Sequence, residues 1–255
     1  MPPHRSIVCD LMDLHRQMPT VSQAKSFQLE VLREARSTCP QRISWSLLFL
    51  RAFALASVEF PNLRRTLINW PWRHLYEHPT SYANLVVARE YQGEPWLFFA
   101  PLEAPERQSL LELQGALNRY QQEPVEVVFK NQVRFARYPR LLRRALWWLR
   151  FNLSARKRIK RLGTFALTTV AGQGVTILDP KAPVTATLTY GPFDDSGRCE
   201  VIIAYDHRVM DGKEIATILG RLEEILQQEM VHEMREMTEY FLEQTRAAHA
   251  KINAA

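Results

Sequence analysis

The segment VIIAYDHRVMDGKEIATIL, Val201 to Leu219, constrains the fold more tightly than any other part of the chain. It opens on an unbroken apolar run of strand length, Val201 to Tyr205. From Lys213 the apolar positions switch to a helical period, and Ile215, Ile218, Leu219, Leu222, Ile225 and Leu226 share one stripe. A buried strand and an amphipathic helix joined within a few residues must pack on a common core. The join itself is ionisable, with His207, Asp211 and Gly212. A polar turn between strand and helix accounts for these letters with no function attached. An active site accounts for them too: an imidazole held at the end of a buried strand titrates near neutrality and suits proton removal from a thiol, hydroxyl or amine. Asp211 would then orient the turn, and Gly212 lets the backbone bend where the helix begins. The residues by themselves leave both readings open.

The rest of the chain reads as one α+β domain without repeats, low-complexity tracts or a linker. Ser44 to Glu59 is apolar almost all round, which predicts a buried helix with Ser44 as N-cap and Pro61 just past its end. Further helices are expected over Arg5–Arg16, in QLEVLREARS, over Pro105–Gln122, and from Lys213 towards Ala248. Strands are expected in TVSQAKSF, YANLVVARE, PWLFFAPLE, GTFALTTVAG, VTATLTYG and EVIIAYDH, with a hairpin around Pro71 and a hairpin loop at PFDDSGR.

At 255 residues, 46% hydrophobic and 24% charged, the chain has the composition of a soluble globular protein. Cys9, Cys39 and Cys199 form no CxxC pair, so neither a zinc site nor a disulfide framework is indicated. The start lacks a signal-peptide layout, and WSLLFLRAFALASVEF carries Arg51 and is too short to span a membrane. A reduced, cytoplasmic protein is the expectation. His4, His15, His74, His78, His232 and His249 show no metal-ligand spacing and read as surface residues, so no metal is expected.

The net charge of +6 is local. Lys130 to Arg161 holds twelve Lys or Arg and no acidic residue, whereas the remainder has 21 basic against 27 acidic residues. As a helix, RYPRLLRRALWWLRFNLSARKRIKRLG would place Leu142, Ala145, Leu146, Leu149 and Leu153 on one side. Arg140, Arg143, Arg144, Arg150, Arg158 and Arg161 would lie on the other, with Trp147 and Phe151 intruding among them and Trp148 flanking the leucines. Three readings fit: the apolar side packs on the domain, the helix lies in a membrane surface, or the arginines bind an acidic partner such as an acyl carrier protein or coenzyme A phosphates. Under the last two, Arg140, Arg143, Arg144, Trp147, Trp148 and Arg150 would make the contact. Confinement of the charge to one segment argues against nucleic acid.

DHRVMDG resembles the active-site motif of the catalytic domain of dihydrolipoyl acyltransferases, the cores of 2-oxo acid dehydrogenase complexes, whose fold chloramphenicol acetyltransferases share. ISWSLLFLRAFALASVEFPNL, GTFALTTVAGQGVTILDPKAP and, more weakly, HRSIVCDLMDLHRQMPTV resemble further family segments in the same order. The resemblance covers most of the chain outside the basic segment and the last thirty or so residues. It implies a chloramphenicol acetyltransferase-like fold, a mixed sheet with flanking helices, assembled as trimers with the active site between subunits. It implies one domain over residues 1–255, with a basic insertion at about 130–161 and a helical extension at about 229–255. His207 would be the general base, and the acceptor would attack a thioester directly in a ternary complex. Thr168, with Thr169 as the neighbouring rival, would supply a hydroxyl to the oxyanion. Asp211 would be structural, paired with an arginine for which Arg5 is the candidate. Coenzyme A is the first donor to expect and a carrier-protein thioester the second.

Three departures accompany the resemblance. A lipoyl domain ahead of the catalytic region is not expected from this sequence, and the acyl donor or acceptor is expected to come from elsewhere. The connection from Thr168 to His207 is short, and the basic insertion replaces a short connection before GTF. Alternatives from other classes are a non-catalytic trimeric scaffold of the same fold and a peripheral membrane protein anchored by its basic helix.

Overall fold

A computed structural model of the chain describes residues 2–253, with side chains as far as residue 247; residues 254–255 of the expected extension and the His249 side chain lie outside the described residues. The helices are α1 (Pro3–His15), α2 (Glu30–Thr38), α3 (Trp45–Glu59), α4 (Leu110–Gln122), α5 (Val125–Val128), α6 (Lys130–Ala136), α7 (Arg140–Leu153), α8 (Ala155–Leu162), α9 (Gly212–Gln227) and α10 (Glu229–Asn253). The strands are β1 (Thr20–Gln28), β2 (Arg65–Ile68), β3 (His74–Glu77), β4 (Tyr82–Tyr91), β5 (Glu94–Glu103), β6 (Phe165–Leu167), β7 (Ala186–Phe193) and β8 (Arg198–Asp206).

Six strands form a mixed sheet in the order β1-β8-β7-β6-β4-β5, with β6 parallel to both neighbours and the other pairs antiparallel; β2 and β3 pair separately as the hairpin around Pro71. Val201 to Tyr205 are all buried, because β8 lies between β1 and β7 and both its faces are covered. On one face α3 is buried nearly all round, with Phe53 4.7 Å from Phe165 and Phe49 stacked on Tyr190 at 4.3 Å. Ser44 occupies its N-cap position without a capping side-chain bond. Arg51, the charge in the middle of α3, donates to Glu233 of α10 at 2.7 Å. α9 buries all six residues of its stripe, and α10 adds Met230, Val231, Met234 and Met237 to the same core. The first half of the expected extension is therefore core.

The opposite face is covered by α1 and by the basic insertion, which forms α6, α7 and α8. The orientation of α7 is the reverse of the amphipathic expectation. Arg143, Trp147 and Phe151 face inward and are buried, while Leu141, Leu142, Trp148, Leu149 and Leu153 are exposed, Leu141 to 84%. The reason is that Arg143 finds a full set of partners inside. It donates to both Asp10 oxygens at 2.6 and 3.4 Å and to the carbonyls of Ala136 and Tyr138. Once that charge is satisfied, Trp147 and Phe151 on the same side bury more apolar area than leucines would, and they join Leu11, Leu14, Leu162 and Ala166 in a second core. Arg143 and Trp147 are thus not surface contacts; Arg140, Arg144 and Trp148 are exposed, and Arg150 is half-buried beside Phe135.

Two histidines also depart from the surface reading. His78 is fully buried and its ring has no hydrogen-bond partner among the described residues, and His15 is buried against Thr20 and the Ala182 carbonyl. Among the described residues no cluster of His, Cys, Asp or Glu is arranged to hold a metal, and no helix is long and apolar enough to cross a membrane.

Candidate active site

His207 follows directly on β8 and is exposed, with its backbone N–H donating to Pro19 O at 3.0 Å. Its ring sits 5.8 Å from the Tyr205 ring and has no hydrogen-bonding partner among the described residues. The backbone on either side is clamped. Before it, the buried Asp206 carboxylate accepts from the Arg208 side chain at 2.8 and 2.7 Å and from its backbone N–H at 3.1 Å; Arg208 in turn donates to Gln17 O at 3.0 Å. After it, the Asp211 carboxylate accepts from the Glu214 backbone N–H at 2.9 Å and so caps α9.

Asp211 therefore does not pair with Arg5, which is exposed on α1 and forms no ion pair among the described residues. A carboxylate at this position is drawn to the unsatisfied N–H groups and positive end of α9. The arginine–carboxylate pair of the turn is Asp206 with Arg208, two residues apart in the motif. Gly212 has a separate constraint: a Cβ there would lie 2.7 Å from Gln23 Nε2, so the helix start needs the small residue for close approach to β1.

Arg158 of the insertion is also buried, against the expectation of an outward cationic face. It stacks on Phe151 at 3.8 Å and donates to the carbonyls of Leu67 and Pro183 at 3.2 and 3.3 Å. Burial pushes its guanidinium down to about 9, opposed by the Asp206 charge, so it stays cationic at neutral pH.

Thr168 and Thr169 project to opposite sides as β6 ends. The Thr169 hydroxyl donates to Tyr190 O at 2.8 Å and accepts from Ala171 N at 3.0 Å, which commits it to the turn. Thr168 instead lines a cavity of about 510 Å³ between the second face of the sheet, α1 and the insertion, and its hydroxyl has no partner among the described residues. Asn84 and Thr187 share that wall. Four cations, Arg150, Lys160, Arg161 and Lys181, line the cavity and no carboxylate does. Sequence reasoning missed this cavity and the role of Asp206; the Asp-x-Arg spacing around His207 was the available signal for the latter.

His207 is not part of this cavity. The register aligns Leu167 with Leu188 and Leu188 with Ile203, so Thr168 and His207 lie about five residues apart along the strands and two strands apart across them. That is roughly 17 Å by 10 Å, too far for both side chains to act on one atom within a single chain.

Comparison with solved structures places this architecture. A truncated catalytic core of the 2-oxoacid dehydrogenase multienzyme complex from Thermoplasma acidophilum is similar with a TM-score of 0.65 at 15% identity, over 89% of this chain and 96% of that one. Azotobacter vinelandii dihydrolipoamide acetyltransferase, in which a serine, a histidine and an asparagine have been investigated for their role in the catalytic mechanism, gives 0.64 at 18% identity, over 89% and 90%. The fold is that of the dihydrolipoamide acetyltransferase cores. Chloramphenicol acetyltransferase shares this acetyltransferase-core fold, with a TM-score of 0.52 at 13% identity over 85% of this chain and 94% of that one. No protein-family model and no curated protein sequence matches the chain. The basic segment of this chain, Lys130 to Arg161, lies over the sheet face that carries Thr168.

Proposed function

We propose that the protein is an acyltransferase that moves an acyl group from a thioester to a thiol, hydroxyl or amine, with His207 as general base. The observation that carries this reading is His207 itself: an exposed ring without a hydrogen-bonding partner among the described residues, on a turn clamped from both sides, in a fold shared with acyltransferase cores. The histidine and asparagine investigated in the Azotobacter enzyme are four residues apart, the spacing of His207 and Asp211 here. The imidazole takes the proton of the acceptor as its heteroatom attacks the thioester carbonyl. Thr168 donates its hydroxyl to the oxyanion, the C–S bond breaks, and the imidazolium returns the proton to the departing thiolate. Because one chain holds the two groups far apart, His207 of one subunit faces Thr168 of a neighbour in a trimer. Coenzyme A is the donor that suits a cation-lined cavity, with a carrier-protein pantetheine as its rival.

The test is thiol release from a panel of acyl-coenzyme A esters with candidate acceptors. His207→Ala should lower kcat by at least about 100-fold, and Thr168→Val by roughly the same factor. No turnover by either protein would favour the trimeric scaffold of the same fold, and equal turnover by both would remove His207 from the chemistry.

The exposed leucine face of α7 favours a second role, association with an anionic membrane surface through Leu141, Leu142, Trp148 and Leu149 with Arg140 and Arg144 beside them. Co-sedimentation with vesicles containing phosphatidylserine should fall on replacing Arg140 and Arg144 by glutamate. Arg143 is unsuitable for this purpose because it is buried. Binding that is absent in wild type, or unchanged in the variant, removes this role.

A further inference from the structure

We infer that the cavity beneath the basic insertion is an acyl-chain site, and that the substrate is a thioester of a long apolar acyl group on a phosphate-bearing pantetheine carrier. This rests on the acyl-transfer reading and adds the substrate class. The walls are mostly apolar, with the rings of Trp96, Phe99, Phe135 and Trp147 prominent, and at about 510 Å³ the space suits a ligand far larger than an acetyl group. An apolar cavity of this kind offers water few partners, so burying hydrocarbon in it is favourable. The Trp147 indole N–H, in the same wall, has no acceptor among the described residues.

The polar lining is one-sided. Arg150, Lys160 and Arg161 supply positive charge with no ion-pair partner among the described residues, whereas Lys181 is paired with Asp179 at 2.5 Å; the net positive lining suits phosphate. Thr168 stands in the same wall, so a thioester carbonyl beside its hydroxyl leaves the alkyl tail the apolar part of the cavity to occupy. The roof is firmly placed rather than draped over the sheet. Arg143 is fixed to Asp10 of α1, and the Gln132 side chain accepts from the backbone N–H of Phe99 and donates to its carbonyl, extending the hydrogen bonding of the edge strand β5. The basic segment is thus the element that closes the acyl site, by turning its aromatic side inward.

Binding rather than turnover provides the test, with acetyl-, hexanoyl-, octanoyl- and decanoyl-coenzyme A titrated calorimetrically into wild type and into His207→Ala. Affinity should tighten about threefold to fourfold per added methylene until the cavity is filled, in both proteins. Val86→Trp, which fills the cavity, and Leu97→Glu, which places a carboxylate at its mouth, should each weaken decanoyl-coenzyme A at least tenfold while coenzyme A itself changes less than twofold. Leu97 is half-exposed, so its substitution leaves the fold intact. The pair Lys160→Glu with Arg161→Glu should weaken all the coenzyme A esters alike. Decanoyl-N-acetylcysteamine, which lacks phosphate, should keep the chain-length gain and ignore the charge reversal; decanoyl-phosphopantetheine should respond to it, and matching decanoyl-coenzyme A in affinity would point to a carrier-protein source. Equal affinity from acetyl to decanoyl, or a gain that neither Val86→Trp nor Leu97→Glu diminishes, overturns the site. A chain-length gain in a protein that turns over no ester would leave the site standing and remove the catalytic reading instead.

Discussion

Two buried charges and one buried ring carry residue-scale consequences that can be measured. His78 is enclosed without a hydrogen-bond partner among the described residues, and burial, aided by the positive charges of Arg158 and Arg64, holds its imidazole down at about 4. In the unfolded chain the ring titrates near its ordinary value, so between these values the unfolded state binds a proton that the native state refuses. Stability from this group is complete above about pH 6.5 and is lost as pH falls towards 4, by up to about 3 kcal/mol. Urea unfolding across that range should show the slope in wild type and a flatter profile in His78→Phe. The Asp10–Arg143 pair makes a different prediction. Arg143→Met leaves a buried carboxylate alone and should cost about 3–5 kcal/mol, whereas Asp10→Leu with Arg143→Met should recover much of that loss in a double-mutant cycle. Asp211 is the mild case: Asp211→Ala removes the cap of α9 at a cost of about 1 kcal/mol, and Asp211→Asn should be nearly neutral to thermal unfolding. The sequence made Asp211 visible as an important residue but misassigned its partner, since a capping N–H and an arginine are equally good reasons for an aspartate at that position.

Elements were legible where their pattern is local. The strand of Val201–Tyr205, the stripe of α9, the buried helix α3 and the hairpin around Pro71 all follow from period and punctuation, and they stand where those signals put them. β6 is shorter than GTFALTTVAG suggests, because Thr169 leaves the ladder to bond Tyr190 O and Ala171 N. Its entry is equally specific. Gly163 ends α8 at φ +82°, and a Cβ there would lie 2.7 Å from Tyr82 O and 2.8 Å from Phe165 O. Gly163→Ala should therefore destabilise the protein by roughly 2 kcal/mol or more, read as a drop in the urea midpoint at unchanged m. α7 is the element whose pattern misled. Its leucine stripe is the more regular of the two faces, yet it is the face left in solvent.

At the scale of the whole molecule, the proposed reaction requires His207 and Thr168 to meet between subunits, and that has a quantitative consequence. Chains carrying His207→Ala and chains carrying Thr168→Val should each be inactive alone. Co-expressed and randomly assembled as trimers, they should regain about a quarter of wild-type activity, since that fraction of interfaces pairs an intact His207 with an intact Thr168. Native mass spectrometry would show the mixed trimers, and their inactivity would place both groups in one chain. By itself the sequence determined most of the secondary-structure elements, the mixed α+β class and the placing of His207 at a strand-to-helix turn, because each depends on residues within a few positions of one another. Only the tertiary structure decided which face of α7 is inside, that a cavity opens beside Thr168, and that this threonine lies far from His207 within one chain. The physical reason is that the deciding contacts are remote in sequence. The partner that turns Arg143 inward is Asp10, 133 residues away, and no local pattern around either residue records that the two will meet.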